Sequence, residues 1–365
     1  MNIYKSTMGL LFAGLATVLF SACGKDDPIV DMGYLPPATL PDSVTVTYGT
    51  VTTLNLPDEY KNQPYVNFRL DFTGNTNLQV NAADSLNTLL AKAIVVDTKA
   101  RGIKIDAGKL YPNSNRSELT GVRLPDTYKV RLVAESLTGL KPVKTDFTLK
   151  VMPAALGIKE LSATDPIPYG YSLYSAEGAS YTIDYLGLNK EGTSLQLHQN
   201  GFPDGHVTLQ GDKVVLDQYA GDEDRKYEWT YDLIANLLKD GYRVAYKQFR
   251  TVILPQPKFL YGVYYPEYDL TIVQNRVVIG LGNAYMSPAP VFNPEKYKGS
   301  FRILSVAYGA APFVDTDKVF SVDAATGQVK AAADSSLSAG EYKITVEATT
   351  TIGIKLTTTF TLVME

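Results

Sequence analysis

Cysteine is almost absent from this chain: Cys23 is the only one in 365 residues. No intramolecular disulfide is available to any domain, and no second thiol exists to serve as a nucleophile or metal ligand. Histidine is nearly as scarce, with His198 and His206 alone, and they do not form a His-Glu-x-x-His site. Neither a Gly-x-Ser-x-Gly nucleophile elbow nor a phosphate-cradling glycine loop occurs. Basic runs are missing as well. With 34 Lys and Arg against 38 Asp and Glu, a net charge of −4, nothing marks the chain as a binder of nucleic acid. The expectation is a non-enzyme without a cofactor or a metal.

One long apolar run is present, at the start. Lys5 precedes the 13-residue stretch Met8 to Phe20, and Ser21-Ala22 are the small residues a signal peptidase needs ahead of Cys23. A bilayer span takes roughly 20 apolar residues. Residues 1–22 are therefore expected to be a lipoprotein signal peptide, with Cys23 lipidated and the chain anchored rather than spanning. Gly24-Lys25-Asp26-Asp27 follows. A Cys-x-Lys-Asp-Asp start resembles the lipoprotein export signal of Bacteroidota, which implies that Lys25, Asp26 and Asp27 address the protein to the outward face of the outer membrane.

Beyond Cys23, Pro28, Pro36, Pro37 and Pro41 interrupt a stretch without periodicity. Residues 23–42 are expected to be an extended tether of about 60 Å, at about 3.1 Å per residue. The remainder alternates polar and apolar residues between Gly, Asn, Asp and Pro turns, the pattern of half-buried strands. An internal repeat organises it. Tyr128, Val130, Leu132 and Ala134 match Tyr342, Ile344, Val346 and Ala348, and Phe147-Thr148-Leu149 matches Phe360-Thr361-Leu362 after intervals of 19 and 18 residues. Ahead of each set, Ile103-Lys104-Ile105-Asp106 is aligned with Phe320-Ser321-Val322-Asp323. Period two places each apolar set on one face of a strand. The prediction is an all-β chain of tandem sandwiches: 43–153 as a spacer, 154–258 with a weaker match, and 259–365. Leu86 to Val95, behind Ser85, and Tyr231 to Lys239 are read as short helices.

Asp323-Ala324-Ala325-Thr326-Gly327-Gln328-Val329 resembles the Asp-x-x-Thr-Gly-x-Val hairpin of cadherin-like and immunoglobulin-like bacterial surface domains. The calcium motifs of true cadherins are absent, so calcium rigidification is not expected.

Candidate chemistry is sparse. His198 and His206 bracket turn-forming residues around Asp204 and are read chiefly as loop histidines, with a shared metal as the lesser alternative. Asp222, Glu223 and Asp224 read as a charged turn. Tyrosine stands out: 25 residues beside a single tryptophan. Tyr169, Tyr171 and Tyr174, then Trp229 and Tyr231, then Tyr261, Tyr264, Tyr265 and Tyr268 gather in turn-rich segments. Exposed rings offer flat apolar faces for the C–H face of a sugar, so these nine residues are the glycan-contact candidates. Core packing and domain contacts are the competing explanation.

A lipidated start, a Pro-rich tether and tandem sandwiches together resemble the surface glycan-binding lipoproteins of Bacteroidota polysaccharide-utilisation systems. That resemblance implies non-catalytic capture of a polysaccharide or oligosaccharide beside a TonB-dependent transporter and its lid lipoprotein. The alternative is an adhesin or fimbria-associated stalk with a protein partner.

Overall fold

The computed structural model describes residues 33–365, apart from 38, 57–59, 61–64, 98, 100, 175–177, 202, 223, 225 and 226. Cys23, Lys25, Asp26 and Asp27 lie outside the described residues, as does Glu223. Two compact units emerge. Unit 1 takes residues up to Ala155 with 187–194 and 237–246; unit 2 takes 156–186, 195–236 and 247–365. Among the described residues no helix is long and apolar enough to cross a membrane.

Unit 1 begins with β1 (Ser43–Thr47), β2 (Val51–Asn55) and β3 (Val66–Asp71), followed by α1 (Leu86–Ala93), β4 (Ile94–Asp97) and β5 (Gly102–Asp106). Next come β6 (Tyr128–Ser136), β7 (Val143–Met152) and β8 (Ala154–Ala155). One sheet runs β1-β7-β6-β3 with β1 parallel to β7, and the other runs β2-β5-β4. Both bury their branched residues: Val130, Leu132 and Leu149 in the first, Ile94, Ile103 and Ile105 in the second. The helix forms at the start of the predicted stretch, burying Leu86, Leu89, Leu90 and Ala93 at helical spacing, but it ends at Ala93, and Ile94 and Val95, expected in it, belong to β4. Ser85 occupies its N-cap position, but the hydroxyl meets that of Thr88 at 3.0 Å instead of capping a backbone amide.

The tether is shorter than the sequence suggested. Leu35 is buried, its amide donates to the Lys141 carbonyl, and the Pro36 carbonyl accepts from the Tyr60 hydroxyl. An apolar residue between prolines docks because unit 1 offers it a dry site, so the chain is already held at Leu35 and Pro36.

The next strands are β9 (Gly157–Ile158), β10 (Tyr169–Leu173), β11 (Ala179–Asp184), β12 (Thr193–Gln199), β13 (Val207–Gln210), β14 (Lys213–Leu216), β15 (Trp229–Lys239) and β16 (Tyr242–Leu254). Their sheets run β10-β16-β15-β12, with β10 parallel to β16, and β13-β14-β11-β9. The segment expected as a helix from Tyr231 is thus the long strand β15. Its apolar members Tyr231, Leu233, Ala235 and Leu237 fall at period two and are all buried, which a strand satisfies and a helix does not.

Then come β17 (Lys258–Leu260), β18 (Gly262–Tyr265), β19 (Leu270–Val273), β20 (Arg276–Ile279), β21 (Tyr285–Met286), β22 (Val291–Asn293), β23 (Ser300–Tyr308) and β24 (Ala311–Pro312). The last four are β25 (Phe320–Val322), β26 (Val329–Ala331), β27 (Gly340–Thr349) and β28 (Lys355–Met364). The sheets run β20-β28-β27-β23-β24, with β20 parallel to β28, and β21-β26-β25. Phe301, Tyr342, Ile344, Phe360 and Leu362 belong to one core with Val252, Leu254 and Phe259.

Strand order therefore repeats three times: a first strand parallel to the last, then the last, the one before it, and an earlier strand. This is the immunoglobulin-type β-sandwich arrangement. The order also corrects one alignment. Strand β5, which carries Ile103 and Ile105, is central in its sheet, whereas β25 is an edge strand, so the counterpart of β25 is β4. Asp97 ends β4 as Asp323 ends the Phe320–Val322 strand. Asp97 accepts from the amide two residues on at 2.9 Å, and Asp323 from the corresponding amide at 3.1 Å. Asp323 also accepts from the Thr326 amide, and these backbone donors hold its carboxyl down to about 2.

Strands β15 and β16 are joined by Asp240-Gly241, both at positive φ (50° and 77°), a two-residue type I′ turn. Within unit 1 this tip is gripped closely. Tyr242 stacks on Tyr111 with centroids 4.5 Å apart, Tyr111 donates to the Asp240 carboxylate, and the Ser117 hydroxyl donates to the Asp240 carbonyl at 2.9 Å.

Candidate functional site

The nine aromatic candidates divide by burial. Tyr231 and Tyr261 are each 2% exposed, so neither offers a ring face, and both are corrections to the sequence reading. Tyr231 is the third instance of a corner that recurs in every sandwich. Tyr128 donates to the Tyr111 carbonyl at 2.7 Å, Tyr342 donates to the Ser338 carbonyl at 3.0 Å, and the Tyr231 hydroxyl accepts from the Gly221 amide at 2.8 Å. Each tyrosine opens the penultimate strand of its sandwich and pins the preceding loop, the role of a tyrosine corner. Tyr261 is fixed by donating to the Gly327 carbonyl at 2.8 Å and by edge contact with Phe360.

In unit 2 the structure joins two of the three sequence clusters into one aromatic belt. Tyr169 and Tyr171 sit on β10 on either side of Gly170. A Cβ at Gly170 would collide with the ring of buried Tyr181, so glycine lets the strand lie flat on the core while both neighbours point outward. The two rings lie 17° from parallel with centroids 6.3 Å apart, and are 46% and 37% exposed. Arg250, opposite Tyr169 in the sheet, donates to its hydroxyl at 2.8 Å and is itself held by Asp232. That ion pair raises the guanidinium's affinity for its proton, which stays bound at any working pH. Tyr297 meets Tyr171 edge-on, and its hydroxyl donates to Glu228 at 2.8 Å while Lys296 pairs with the same carboxylate at 2.7 Å. Burial and Glu228 together push the Tyr297 hydroxyl's pKa up, so it remains a donor.

Beyond Glu228 the belt continues through Trp229, half-buried, on which Tyr227 stacks at 6.3 Å and 24°. Tyr174 donates to the Tyr227 carbonyl and accepts from the Asp222 amide, both at 2.9 Å. Tyr174, Gln218, Tyr219, Asp222 and Asp224 then line an open cleft of about 280 Å³, with Tyr219 68% exposed on its rim. Tyr219 was missed from sequence. It is isolated between Gln218 and Ala220, and only the turn made by Asp217 accepting from its amide turns it outward.

The third cluster does not join the belt through any of these contacts. Tyr264 is half-buried, and Tyr265 and Tyr268 are exposed on the β18–β19 hairpin. His198 is exposed on β12, while His206 pairs with Asp217 at 3.0 Å and Asp204 accepts from Tyr231 at 2.5 Å. Among the described residues no group of three or more His, Cys, Asp or Glu side chains is placed to hold a metal. A separate cavity of about 300 Å³ in unit 1 has Asp71, Lys129, Arg131 and Asp146 on its wall, but Arg131 and Asp146 already satisfy each other at 2.6 Å and its one aromatic, Phe147, is buried. The belt is therefore the stronger site: rigid rings, outward faces and carboxylates beside them.

No family profile and no curated protein sequence matches the chain. Solved structures that resemble it are themselves serial domains. Sidekick-1 immunoglobulin domains 1–4 match at 12% identity over 89% of this chain and 74% of that one, with a TM-score of 0.31. The longer Sidekick-1 domains 1–5 match at 12% identity over 89% of this chain, which spans 59% of them, with a TM-score of 0.30. Drosophila N-cadherin EC1-3 matches at 11% identity over 90% of this chain and 98% of that one, with a TM-score of 0.30. Scores of this size carry no argument about function, and the sandwich assignment rests on the strand order.

Proposed function

We propose that the protein captures a polysaccharide or oligosaccharide without turning it over, at the aromatic belt of unit 2. The observation that supports this most is the pair Tyr169 and Tyr171: two nearly parallel rings, half exposed, locked by Arg250 on one side and Tyr297 on the other. Stacking on a sugar's C–H face needs rings that do not lose freedom on binding, and these are already fixed. Asp222, Asp224 and Gln218 supply acceptors and donors for hydroxyl groups at the far end. Cys23 as a lipidated anchor, Lys25-Asp26-Asp27 as the export address, an outward position on the outer membrane, and hand-over to a TonB-dependent transporter with its lid lipoprotein complete the proposal. The anchor rests on the signal-peptide pattern ahead of Cys23, and the export address and hand-over rest on the sequence resemblance.

Affinity electrophoresis through gels containing a panel of plant, algal and host polysaccharides is the direct test. Retardation by one of them, lost in Tyr169→Ala/Tyr171→Ala and kept in Tyr268→Ala, is expected. A panel in which no polymer slows the wild-type chain, or one where Tyr268→Ala alone removes retardation, would reject the belt as the site. Metabolic palmitate labelling, present in the wild type and absent in Cys23→Ala, tests the anchor.

A further inference from the structure

Arg250 and Asp232 hold one side of the Tyr169 and Tyr171 pair, yet their own ion pair is only half closed. Nε of Arg250 donates to Oδ1 of Asp232, and Nη1 donates to the Tyr169 hydroxyl at 2.8 Å. A guanidinium has five N–H donors. Three therefore remain, two of them on Nη2, and among the described residues nothing accepts from them. Oδ2 of Asp232 likewise accepts from no described residue. In unit 1, Arg131 and Asp146 show the closed alternative. There Nε meets Oδ1 at 2.6 Å and Nη2 meets Oδ2 at 2.9 Å, a bidentate fork that uses both carboxylate oxygens. At Arg250 the guanidinium instead lies 5.6 Å from the Tyr169 ring centroid, with 35% of its side chain and 33% of that of Asp232 exposed. Its unpartnered Nη2 and the carboxylate's Oδ2 are not buried. A donor and an acceptor thus stand open beside the outward rings.

We propose that Arg250 and Asp232 form a hydroxyl-reading pair that restricts the ligand to neutral glycans with vicinal hydroxyls. This rests on the belt being the capture site. A hydroxyl both donates and accepts, so hydroxyls satisfy Nη2 and Oδ2 together, which neither a carboxylate nor an ammonium group can do. A uronate or a sulfate ester reaches Arg250 only by bringing its charge against Asp232, and like charges so placed cost affinity. Lys296 gives an anionic sugar no better purchase, since Glu228 holds it at 2.7 Å. An amino sugar meets the converse obstacle, a cation set against Arg250. Ring stacking supplies affinity with little regard to the substituents of the sugar. The pair supplies discrimination, because a site built to hydrogen-bond rejects a ligand that leaves its polar groups unmatched.

Affinity electrophoresis of the full chain at neutral pH tests the pair, with xyloglucan, glucomannan and dextran as neutral polymers and polygalacturonate and alginate as acidic ones. Retardation of the wild type by a neutral polymer, and by neither acidic one, is expected. Asp232→Asn leaves the Arg250 charge uncompensated. It should weaken neutral binding about tenfold, the loss of one hydrogen bond to a charged group, and should gain retardation by polygalacturonate. A loosened fold produces no such gain. Arg250→Lys keeps the charge without the planar fork, and should weaken neutral binding by a similar factor with no acidic gain. That second variant decides the matter if Asp232→Asn lacks a cooperative urea transition. A wild type slowed as strongly by acidic as by neutral polymers, or variants indistinguishable from it, would overturn the pair and leave the belt standing. A wild type slowed by no polymer removes the belt reading and the pair with it.

Discussion

Tyr231 donates its hydroxyl to the Asp204 carboxylate at 2.5 Å, so one buried ring ties two loops of the same sandwich, the one at Asp204 and the one at Gly221. Burial first, and the carboxylate second, push the hydroxyl's pKa up, which keeps the donor proton in place throughout the accessible pH range. Tyr231→Phe keeps the ring and removes both bonds. A loss of about 1–3 kcal/mol in urea unfolding is expected, because a carboxylate and an amide are left without this partner. Polysaccharide retardation should persist if the loops keep their places; an unaltered midpoint would show that the corner contributes nothing.

Gly241 is held at φ 77°, and a Cβ there would stand 2.6 Å from the Ser117 hydroxyl and 2.7 Å from the Leu119 amide nitrogen. Gly201 has a similar φ of 95° with nothing within 4 Å of its would-be Cβ. Gly201→Ala is therefore expected to cost only the backbone strain, about 1 kcal/mol. Gly241→Ala adds a collision with backbone and should lower the melting temperature distinctly further. Equal effects in calorimetry would mean that unit 1 does not grip the hairpin tip.

His206 has its pKa raised, chiefly by the hydrogen bond to Asp217, whose own carboxyl is lowered in return. A raised folded value means the histidine's contribution is complete below its ordinary value of about 6.5 and disappears as pH climbs through the raised one. The carboxylate's contribution is lost at the acid end, as pH falls through its lowered value. With 36% and 47% of the two side chains exposed, the effect on stability is small. The shift itself is measurable: in proton NMR titration His206 should titrate above the ordinary histidine value, and Asp217→Asn should bring it down.

Leu35 is 2% exposed in a stretch whose prolines suggest a free linker. Leu35→Ala is expected to destabilise unit 1 by about 2–5 kcal/mol, the ordinary cost of emptying a buried leucine site. It should also open residues near Pro36 to proteolysis. A variant as protease-resistant as the wild type would return this segment to the tether.

Much of the architecture was legible because period two is hard to counterfeit. The alternation in Tyr128–Ala134 and Tyr342–Ala348 marked buried strand faces, and all eight of those residues are buried. The third copy was equally present in Tyr231, Leu233, Ala235 and Leu237. It was hidden because Ile234 and Leu238 also fit a helical stripe, and only pairing across the sheet separates the two. The alignment of Ile103–Asp106 with Phe320–Asp323 failed for a related reason: short strands ending in Asp recur within one sandwich, and sequence does not say which lies at an edge. Aromatic clusters behaved similarly. Gly170 flanked by two tyrosines signals an outward pair once Tyr181 is known to lie beneath it, but Tyr181 is 11 residues away and Arg250 is 80. Tyr231 and Tyr261 look no different from Tyr169 as letters; strand parity decides which rings meet water.

Each sandwich opens with a strand that pairs in parallel with its last one; in the C-terminal module Arg276 aligns with Thr361 and Ile279 with Met364. Nothing within the intervening eighty-odd residues can stand in for that closing partner. During synthesis the module must stay unfinished until the stretch 355–364 has been made, and a protein clipped before Lys355 would leave β20 with no parallel mate.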